Sequence, residues 1–193
     1  MRLRTIRSTG PRLPLLLAVL ALTVTGVQAP SSARAHAAEA SECSRGPSED
    51  GYYKITNVAS GRSLNVARGS LSKGAPVIQW PYSGATNEQW RPVCTAPFAY
   101  TLVARHSGLV LDVTTGAPAS GAEVRQWTFN GGTNQQWYVS RVGNAGGLIT
   151  WQLQSLRSGK VIEPVGDGTH LRSATGDAQD LRQQWTFEQV AGV

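Results

Sequence analysis

Side chains with the types and spacing needed for acid–base or metal chemistry are scarce in this 193-residue chain. His106 and His170 belong to no His-Glu-x-x-His zinc motif, and neither a Gly-x-Ser-x-Gly nucleophile turn nor a phosphate-binding loop occurs. Asp167, Asp177 and Asp180, near His170, lack the spacing of a calcium loop and are typical of a solvated loop. We therefore expect a protein without catalytic activity, metal or cofactor. Glycoside hydrolysis by paired carboxylates stays open as an alternative, because the separation of two carboxylates is a property of the fold.

The first 37 residues have the features of a secretory signal peptide. No acidic residue occurs before Glu39, and an apolar run over 13–27 follows four basic residues, which are Arg2, Arg4, Arg7 and Arg12. Ala35-His36-Ala37 supplies small residues for cleavage after Ala37, with 33–35 and 38–40 as competing sites. The run is short against the roughly 20 residues that cross a bilayer, so we expect cleavage rather than a membrane anchor. The mature protein is predicted to be secreted and extracellular.

The basic balance of the whole chain belongs mostly to this leader. The full sequence has 18 Lys and Arg against 12 Asp and Glu, a formal charge of +6 and a pI near 9.8. Residues 1–37 contain five Arg and no acid, which leaves 18 − 5 = 13 basic and 12 acidic residues, a net charge of +1. A charge this small does not support a nucleic-acid partner.

Two cysteines, Cys43 and Cys94, lie in the mature part of the chain. An even number outside the cell favours a disulfide, and this pair has neither CxxC nor metal-site spacing. We predict a structural bond between them that ties the mature N terminus to the end of the first repeat described next.

Three copies of one unit fill the rest of the chain. The copies end in Asn87-Glu88-Gln89-Trp90, Asn134-Gln135-Gln136-Trp137 and Arg182-Gln183-Gln184-Trp185, with Trp spacings of 47 and 48 residues. Each copy contains a Ser-Gly pair, at 60–61, 107–108 and 158–159, flanked at fixed distances by an aromatic and two aliphatic residues. Those flanking columns are Tyr53, Tyr100 and Trp151; Ile55, Leu102 and Leu153; and Leu64, Leu111 and Ile162. The agreement defines three repeats over about 50–96, 97–144 and 145–193, after a linker at 38–49.

Apolar residues alternate within each repeat, which indicates β-strands rather than helices. Tyr53-x-Ile55 and Leu64-x-Val66 show the period of two, with Gly, Asn and Ser turns between such runs. A unit of 47 residues cannot bury its own apolar face, so the three repeats are expected to share one core. The sequence predicts an all-β, barrel-like domain over 50–193 with pseudo-threefold symmetry and few exposed strand edges.

The triple Gln-x-Trp pattern resembles the ricin-type β-trefoil lectin family, over about residues 50–190. Gln135-Gln136-Trp137 and Gln183-Gln184-Trp185 carry the literal motif, while Glu88 replaces the leading Gln in the first repeat. The resemblance implies a β-trefoil that binds carbohydrate. A structural core role is expected for the three repeat-ending tryptophans, because a buried Trp supplies a large contact area; these are Trp90, Trp137 and Trp185.

The resemblance also implies where a sugar would bind. In the family the pocket uses a carboxylate or amide, an aromatic platform further along, and an Asn or Gln before the last Trp. A sugar ring has an apolar face for stacking and a rim of hydroxyls, which suits this mixture of groups. In the second repeat the matching residues are Asp112, Trp127, Asn134 and Gln135, with Arg125 and Gln126 beside the platform. Loop placement next to the platform favours binding over packing, although Asp112 could instead brace a turn.

The other two repeats depart from this pattern. In the first, Asn65 replaces the acid and Trp80 and Asn87 complete a site that we expect to bind more weakly, because an amide forms no charge-assisted bond. In the third, the distance from Ser-Gly to Trp is 185 − 159 = 26 residues instead of 29, and no aromatic residue lies between Trp151 and Trp185. Glu163 keeps the acid position there, and we expect that pocket to be degenerate.

The resulting prediction is a secreted, monomeric, non-catalytic lectin with carbohydrate as its partner and one or two pockets. A protein-binding trefoil, such as a hydrolase inhibitor, is the main alternative. It rests on the longer spacing between the second and third Ser-Gly turns (159 − 108 = 51 against 108 − 61 = 47), which enlarges the region Gly143–Gly147. We expect a loop there that could contact a protein. A glycoside hydrolase is the less favoured alternative.

Overall fold

The computed structural model describes Cys43 and residues 46–114, 120–165 and 170–191. Their regular structure is almost entirely β, which confirms the predicted fold class. The twelve strands of this part are β1 Tyr53–Asn57, β2 Ser63–Val66, β3 Val77–Trp80, β4 Gln89–Ala96, β5 Ala99–Ala104, β6 Val110–Val113, β7 Val124–Trp127, β8 Trp137–Ala145, β9 Leu148–Ser155, β10 Val161–Val165, β11 His170–Ala174 and β12 Trp185–Gln189. Single-turn 3₁₀ helices span Ala67–Gly69, Thr86–Glu88, Thr133–Gln135 and Leu181–Gln183. Within these ranges no helix is long and apolar enough to cross a bilayer. The predicted signal peptide over 1–37 and most of the linker lie outside the described residues.

Six strands form a closed antiparallel ring. The pairing runs β1–β4–β5–β8–β9–β12 and returns to β1. The closing pair is regular over five residues, from Tyr53 opposite Gln189 to Asn57 opposite Trp185. A closed ring leaves none of its own strands with an unpaired edge, as the alternating pattern of the three repeats requires.

Three hairpins, one per repeat, extend from this ring. They are β2–β3, β6–β7 and β10–β11, joined to the ring through β1, β5 and β9. Each follows a Ser-Gly turn whose glycine has φ near +67°, at Gly61, Gly108 and Gly159. Nothing lies within 4 Å of a Cβ built at these glycines. Glycine is therefore favoured there by the positive φ and not by a lack of space. Single bridges link neighbouring hairpins, as between Pro76 and Arg125.

The core is built from the repeated apolar columns. Trp90, Trp137 and Trp185 are fully buried at 0% exposure, together with the aliphatic columns that flank the Ser-Gly turns. The indole of Trp90 donates to the Leu64 carbonyl at 2.9 Å, and that of Trp137 donates to the Leu111 carbonyl at 3.2 Å. The Trp185 Nε1 has no partner among the described residues. The same side chain thus occupies the same position three times, but one copy lacks its hydrogen bond.

A disulfide joins Cys43 to Cys94, with their Cα atoms 6.3 Å apart. The Tyr100 hydroxyl donates to the Cys43 carbonyl at 2.7 Å, which fixes the N-terminal segment on β5. Burial raises the pKa of that tyrosine above its ordinary value, so the hydroxyl stays protonated as a donor. The bond is consistent with an extracellular protein.

The long spacing after the second repeat forms a hairpin instead of the predicted loop. Strands β8 and β9 pair from Trp137–Ser155 out to Ala145–Leu148, with a register shift between Arg141 and Gly143. Gly146 and Gly147 both have positive φ and make the two-residue turn that matches strand twist. The extra residues therefore lengthen two ring strands. Leu148 and Ile149 are left 38% and 39% exposed near the tip.

Candidate functional site

The hairpin of the second repeat brings three predicted residues to one place. Antiparallel pairing of β6 with β7 sets Asp112 directly opposite Arg125 and Val110 opposite Trp127. Arg125 and Trp127 lie two residues apart on β7 and therefore on the same face. The 3₁₀ helix Thr133–Gln135 brings Asn134 to this group, because it lies immediately before the core strand β8.

Asp112 is the centre of a hydrogen-bond network. Its side chain is 1% exposed, and its Oδ1 accepts from Arg125 Nε at 2.8 Å. Its Oδ2 accepts from Asn134 Nδ2 at 2.7 Å and from Gln135 Nε2 at 3.0 Å. A carboxylate offers about four acceptor positions. Three of these positions are occupied by side-chain donors of the protein.

Asn134 and Gln135 are themselves fixed by backbone. Gln135 Nε2 also donates to the Thr128 carbonyl at 2.9 Å, while its Oε1 accepts from the Asn130 amide at 2.9 Å. Asn134 Nδ2 makes a longer bond of 3.3 Å to the Val113 carbonyl. The network is thus preorganised before any ligand arrives, which lowers the entropy lost on binding.

Trp127 forms a half-buried platform with cations beside it. The Arg125 guanidinium carbon lies 4.1 Å from the ring centroid and the Lys73 ammonium 5.6 Å from it, both within the range of cation–π attraction. Gly74 packs against the ring, since a Cβ built there would lie 3.4 Å from Trp127 Cζ3. Lys73 and Gly74 belong to the first repeat, so the platform is supported from a neighbouring repeat. Sequence reasoning missed both, because their role depends on contact between repeats.

Gln126 does not join this group. It lies between Arg125 and Trp127 on β7 and points to the opposite, fully buried side. Its Nε2 donates to the carbonyls of Ser70 at 2.7 Å and Ser72 at 2.9 Å, and its Oε1 accepts from Ser107. The prediction that placed it beside the sugar is therefore corrected: it clamps a loop of the first repeat. Alternate residues of a strand point to opposite faces, so the sequence position of Gln126 between Arg125 and Trp127 indicates that its side chain lies on the other face.

The first repeat brings its three candidates together with different chemistry. Asn87 Nδ2 donates to Asn65 Oδ1 at 3.2 Å, and Asn65 Nδ2 donates to Glu88 Oε1 at 2.9 Å. Trp80 is 51% exposed, and no cation lies over its ring among the described residues. Ile78 stands opposite Asn65, where the second repeat has Arg opposite Asp. The first repeat therefore has a more exposed aromatic ring and an apolar residue as the cross-strand partner of Asn65.

In the first repeat Glu88 and Asn65 exchange the positions that the acid and the amide occupy in the second repeat. In the second repeat the strand supplies the acid and the 3₁₀ helix supplies the amide; in the first repeat these roles are reversed. Glu88 is 2% exposed, and its Oε2 accepts from the backbone amides of Ser83 at 2.8 Å and Gly84 at 3.1 Å. One buried acid faces one amide in both cases. The carboxylate of the first repeat is therefore bonded both to Asn65 and to the turn at Ser83 and Gly84.

The third repeat keeps the acid–amide pair and lacks the platform. Glu163 Oε2 accepts from Gln183 Nε2 at 2.8 Å, and its Oε1 accepts from Arg172. Ala174 pairs with Val161, at the register position that Trp80 and Trp127 hold in the other hairpins.

Arg182 takes the place of the pocket asparagine in this repeat. It bonds Asp180 at 2.6 Å instead of reaching the acid of the pair. The hydrogen bond from Arg182 lowers the pKa of Asp180. With the platform missing as well, little of a sugar pocket is present on this hairpin.

His106 and His170 make only contacts of the protein scaffold among the described residues. His106 Nε2 donates to the Ser70 carbonyl at 2.9 Å, a loop contact, and its Nδ1 has no partner among the residues described. His170 is exposed and pairs through backbone with Ile78. In the same part of the chain no group of three or more His, Cys, Asp or Glu side chains could hold a metal ion. Asp167 lies outside the described residues.

Comparison with known proteins identifies the family. A family model described as ricin-type beta-trefoil lectin domain-like matches residues 41–127 and 95–175. These matches together cover more than half of the chain, so the protein belongs to this family, and the resemblance drawn from its sequence is confirmed. No curated protein sequence matches the chain.

Solved structures share the fold. The designed three-fold symmetric protein ThreeFoil is 38% identical, with a TM-score of 0.67, and the match covers 73% of this chain and 100% of that one. An exo-β-1,3-galactanase from Clostridium thermocellum is 30% identical over 73% of this chain and 30% of its own, with a TM-score of 0.66. A Macrolepiota procera ricin B-like lectin solved with lactose is 24% identical over 75% of this chain and 99% of its own, with a TM-score of 0.62. The β-trefoil prediction is confirmed, and the family supports carbohydrate binding in general.

Proposed function

We propose that this chain is a secreted, non-catalytic lectin that binds sugar units of a polysaccharide or glycan. The observation that carries the proposal is the buried Asp112 network beside the Trp127 platform, in a member of a lectin family. An enzyme needs a group positioned to transfer a proton or attack a bond. Asp112 is instead buried and accepts hydrogen bonds from three side-chain donors, an arrangement that fixes Arg125 and Asn134 beside the Trp127 platform.

Binding in the second repeat would use the two sides of a pyranose differently. The apolar face of the sugar stacks on Trp127, while hydroxyls on its rim bond Arg125 and Asn134. A shallow pocket of this kind binds at about millimolar concentration, or roughly 4 kcal/mol. Trp80 with Asn65 and Asn87 offers a second pocket on the same rigid body. Two pockets on one repeating polymer would bind more tightly than either alone.

The experiment is affinity electrophoresis of the mature protein in polysaccharide gels, with a glycan array in parallel. A β-1,3-galactan is the first probe, because the galactanase that shares 30% identity acts on that polymer. Trp127→Ala and Trp80→Ala are each expected to reduce retardation, and the double variant to abolish it. Phe98→Ala is the matched control, since Phe98 is also an exposed aromatic at 44% but lies in the β4–β5 turn. Retention of binding by a folded double variant would refute the pocket assignment.

A protein-binding role is a second candidate, favoured by one observation. Leu148 and Ile149 are exposed near the tip of the β8–β9 hairpin, where the chain is longer than between the first two repeats. If this surface binds a protein, replacing both with Ser abolishes capture of that protein and leaves polysaccharide retardation unchanged. Release of reducing sugar from the same polysaccharides by the wild-type protein would instead establish a hydrolase.

A further inference from the structure

The platform of the second repeat has two cations beside it and one nearby anion. Arg125 reaches Asp112 through Nε alone, and its two terminal nitrogens face no protein acceptor within the residues that the structure describes. In that same part of the chain Lys73 forms no hydrogen bond or ion pair, although its ammonium lies 5.6 Å from the Trp127 centroid. The three charged groups therefore sum to +1 at the edge of the pocket.

The fold fixes the backbone that carries Lys73 and the side chain of Arg125. Gln126 bonds the backbone on either side of Lys73: its Nε2 donates to the Ser72 carbonyl at 2.9 Å, and its own carbonyl accepts from the Gly74 amide at 2.8 Å. Arg125 is fixed by the 2.8 Å bond to a buried carboxylate and by stacking on the indole. A guanidinium that is already ordered, as that of Arg125 is, loses less entropy when it engages an anion.

The first repeat provides a comparison within the same molecule. Ile78 holds the position of Arg125, and the carboxylate of Glu88 is turned toward Ser83 and Gly84. Among the described residues no cation stacks on Trp80. Each of the two platforms therefore has a tryptophan ring, but cations lie over the ring in the second repeat alone among the described residues. The triple Gln-x-Trp pattern does not require this difference in charge.

We propose, resting on the carbohydrate-binding function above, that the pocket of the second repeat selects anionic sugars. The ligand class is a saccharide whose ring carries a carboxylate or a sulfate ester. The anion accepts hydrogen bonds from the terminal nitrogens of Arg125 and pairs with Lys73, while the ring stacks on Trp127. Such charge-assisted bonds are stronger than those that a neutral hydroxyl forms with the same donors. The preference belongs to the second repeat alone, because Ile78 replaces the guanidinium in the first.

The test is calorimetric titration of the mature, disulfide-bonded protein with three matched oligosaccharides. These are an oligogalacturonate, its neutral methyl ester and a sulfated oligogalactan, each measured at low and at 0.5 M salt. We expect the two anionic ligands to bind the Trp80→Ala variant about five- to tenfold more tightly than the ester at low salt. The difference should shrink at high salt because mobile ions screen exposed charges. The Trp80→Ala background isolates the second pocket.

Lys73→Met in that background should reduce the preference for the anionic ligands over the ester, because one of the two cations over Trp127 is lost while Met keeps an apolar side chain of similar length. Lys160→Met is the control, because Lys160 lies in the third repeat and donates to Thr175. Equal affinity for acid and ester, or a preference of the same size in Lys73→Met, overturns the inference while leaving carbohydrate binding intact. Failure of every oligosaccharide and polysaccharide to bind the wild-type protein refutes the lectin function itself, and the inference with it. The relative affinities of carboxylate and sulfate then identify which anion the pocket takes.

Discussion

The buried acid–amide pair of the first repeat can be tested by exchanging its two members. Glu88 is 2% and Asn65 5% exposed, so neither can exchange a lost partner for bulk water. In Glu88→Gln the new side chain has one oxygen for the backbone amides of Ser83 and Gly84, and its NH₂ group then faces the NH₂ group of Asn65. Rotating the Asn65 amide moves the same conflict to Asn87, whose Nδ2 now donates to Asn65 Oδ1. At least one buried donor loses its acceptor.

The magnitudes follow from these contacts. An unsatisfied buried donor costs about 1–3 kcal/mol, which is the expected loss for Glu88→Gln. Asn65→Asp places a second carboxylate within hydrogen-bonding distance of the first. Two like charges 4 Å apart repel by roughly 4 kcal/mol at an effective dielectric constant of about 20, unless one of them takes up a proton. Each single variant is therefore destabilised, the second more strongly.

The double variant Asn65→Asp/Glu88→Gln should recover most of the loss. It recreates the arrangement of the second repeat, in which one carboxylate accepts from both an Asn and a Gln side chain. We expect its stability to lie within about 1–2 kcal/mol of wild type, because Ile78 cannot supply the guanidinium that braces Asp112. The coupling energy of the cycle should exceed about 2 kcal/mol.

Urea unfolding followed by tryptophan fluorescence measures all four proteins. Glu188→Gln is the control for replacing an acid by an amide, since Glu188 is 39% exposed and pairs with Lys54 at the surface; its expected effect is below about 1 kcal/mol. If the two single effects add to within about 0.5 kcal/mol in the double variant, the residues do not act as a pair and the reasoning is refuted.

Three further predictions follow from the same contacts. Trp185→Phe should cost about 1 kcal/mol less in urea unfolding than Trp90→Phe, because the Trp90 indole has a hydrogen-bond partner and the Trp185 indole has none among the described residues; equal losses would contradict this. Gly74→Ala should weaken sugar binding in the second repeat and cost about 1 kcal/mol, since φ is +87° and the new Cβ touches the platform. Gly84→Ala is the control: φ is +90° and no atom lies near the new Cβ, so the variant should lose stability without losing sugar binding. Equal losses of sugar binding in Gly74→Ala and Gly84→Ala would refute the contact between Gly74 and the platform as the cause. Reduction of the Cys43–Cys94 bond should lower the free energy of unfolding by about 2–4 kcal/mol through a separation of 51 residues, and an unchanged urea midpoint would show that the bond does not stabilise the fold.

The fold followed from the sequence because its signals are local and repeated three times. Alternation at Tyr53-x-Ile55, positive φ at Gly61 and burial at Trp90 each depend on one residue type at one position, and two more copies carry the same signals. The platform aromatics, Trp80 and Trp127, could be placed on hairpins for the same reason. Contacts between repeats left no such local pattern. Lys73 lies near the Trp127 platform, and Gln126 bonds the loop that carries it. The spacing of residues along the sequence does not indicate this contact.

The β8–β9 region and the Glu88 position show a different limit. The longer spacing predicts a loop, yet Gly146-Gly147 makes a tight turn and the added residues pair as strand. In the sequence, Glu88 departs from the Gln-x-Trp pattern, and Asn65 stands where an acid is expected. Their contact shows that the two departures compensate each other. Such compensation is visible only when the partners, 23 residues apart, are seen side by side.

The third repeat separates the structural role of the acid–amide pair from any role in binding. Glu163 and Gln183 are 6% and 3% exposed and keep a 2.8 Å bond, although Ala174 stands at the platform position. The pair therefore persists where no aromatic ring is available to stack on a sugar. It braces the short helix that leads into the core strand, and that function is needed in every repeat. An acid next to a Gln-x-Trp motif consequently does not by itself indicate a sugar pocket in this chain. What distinguishes the repeats is the ring at the hairpin end and the charge beside it, so specificity should follow Trp80, Trp127 and their neighbours.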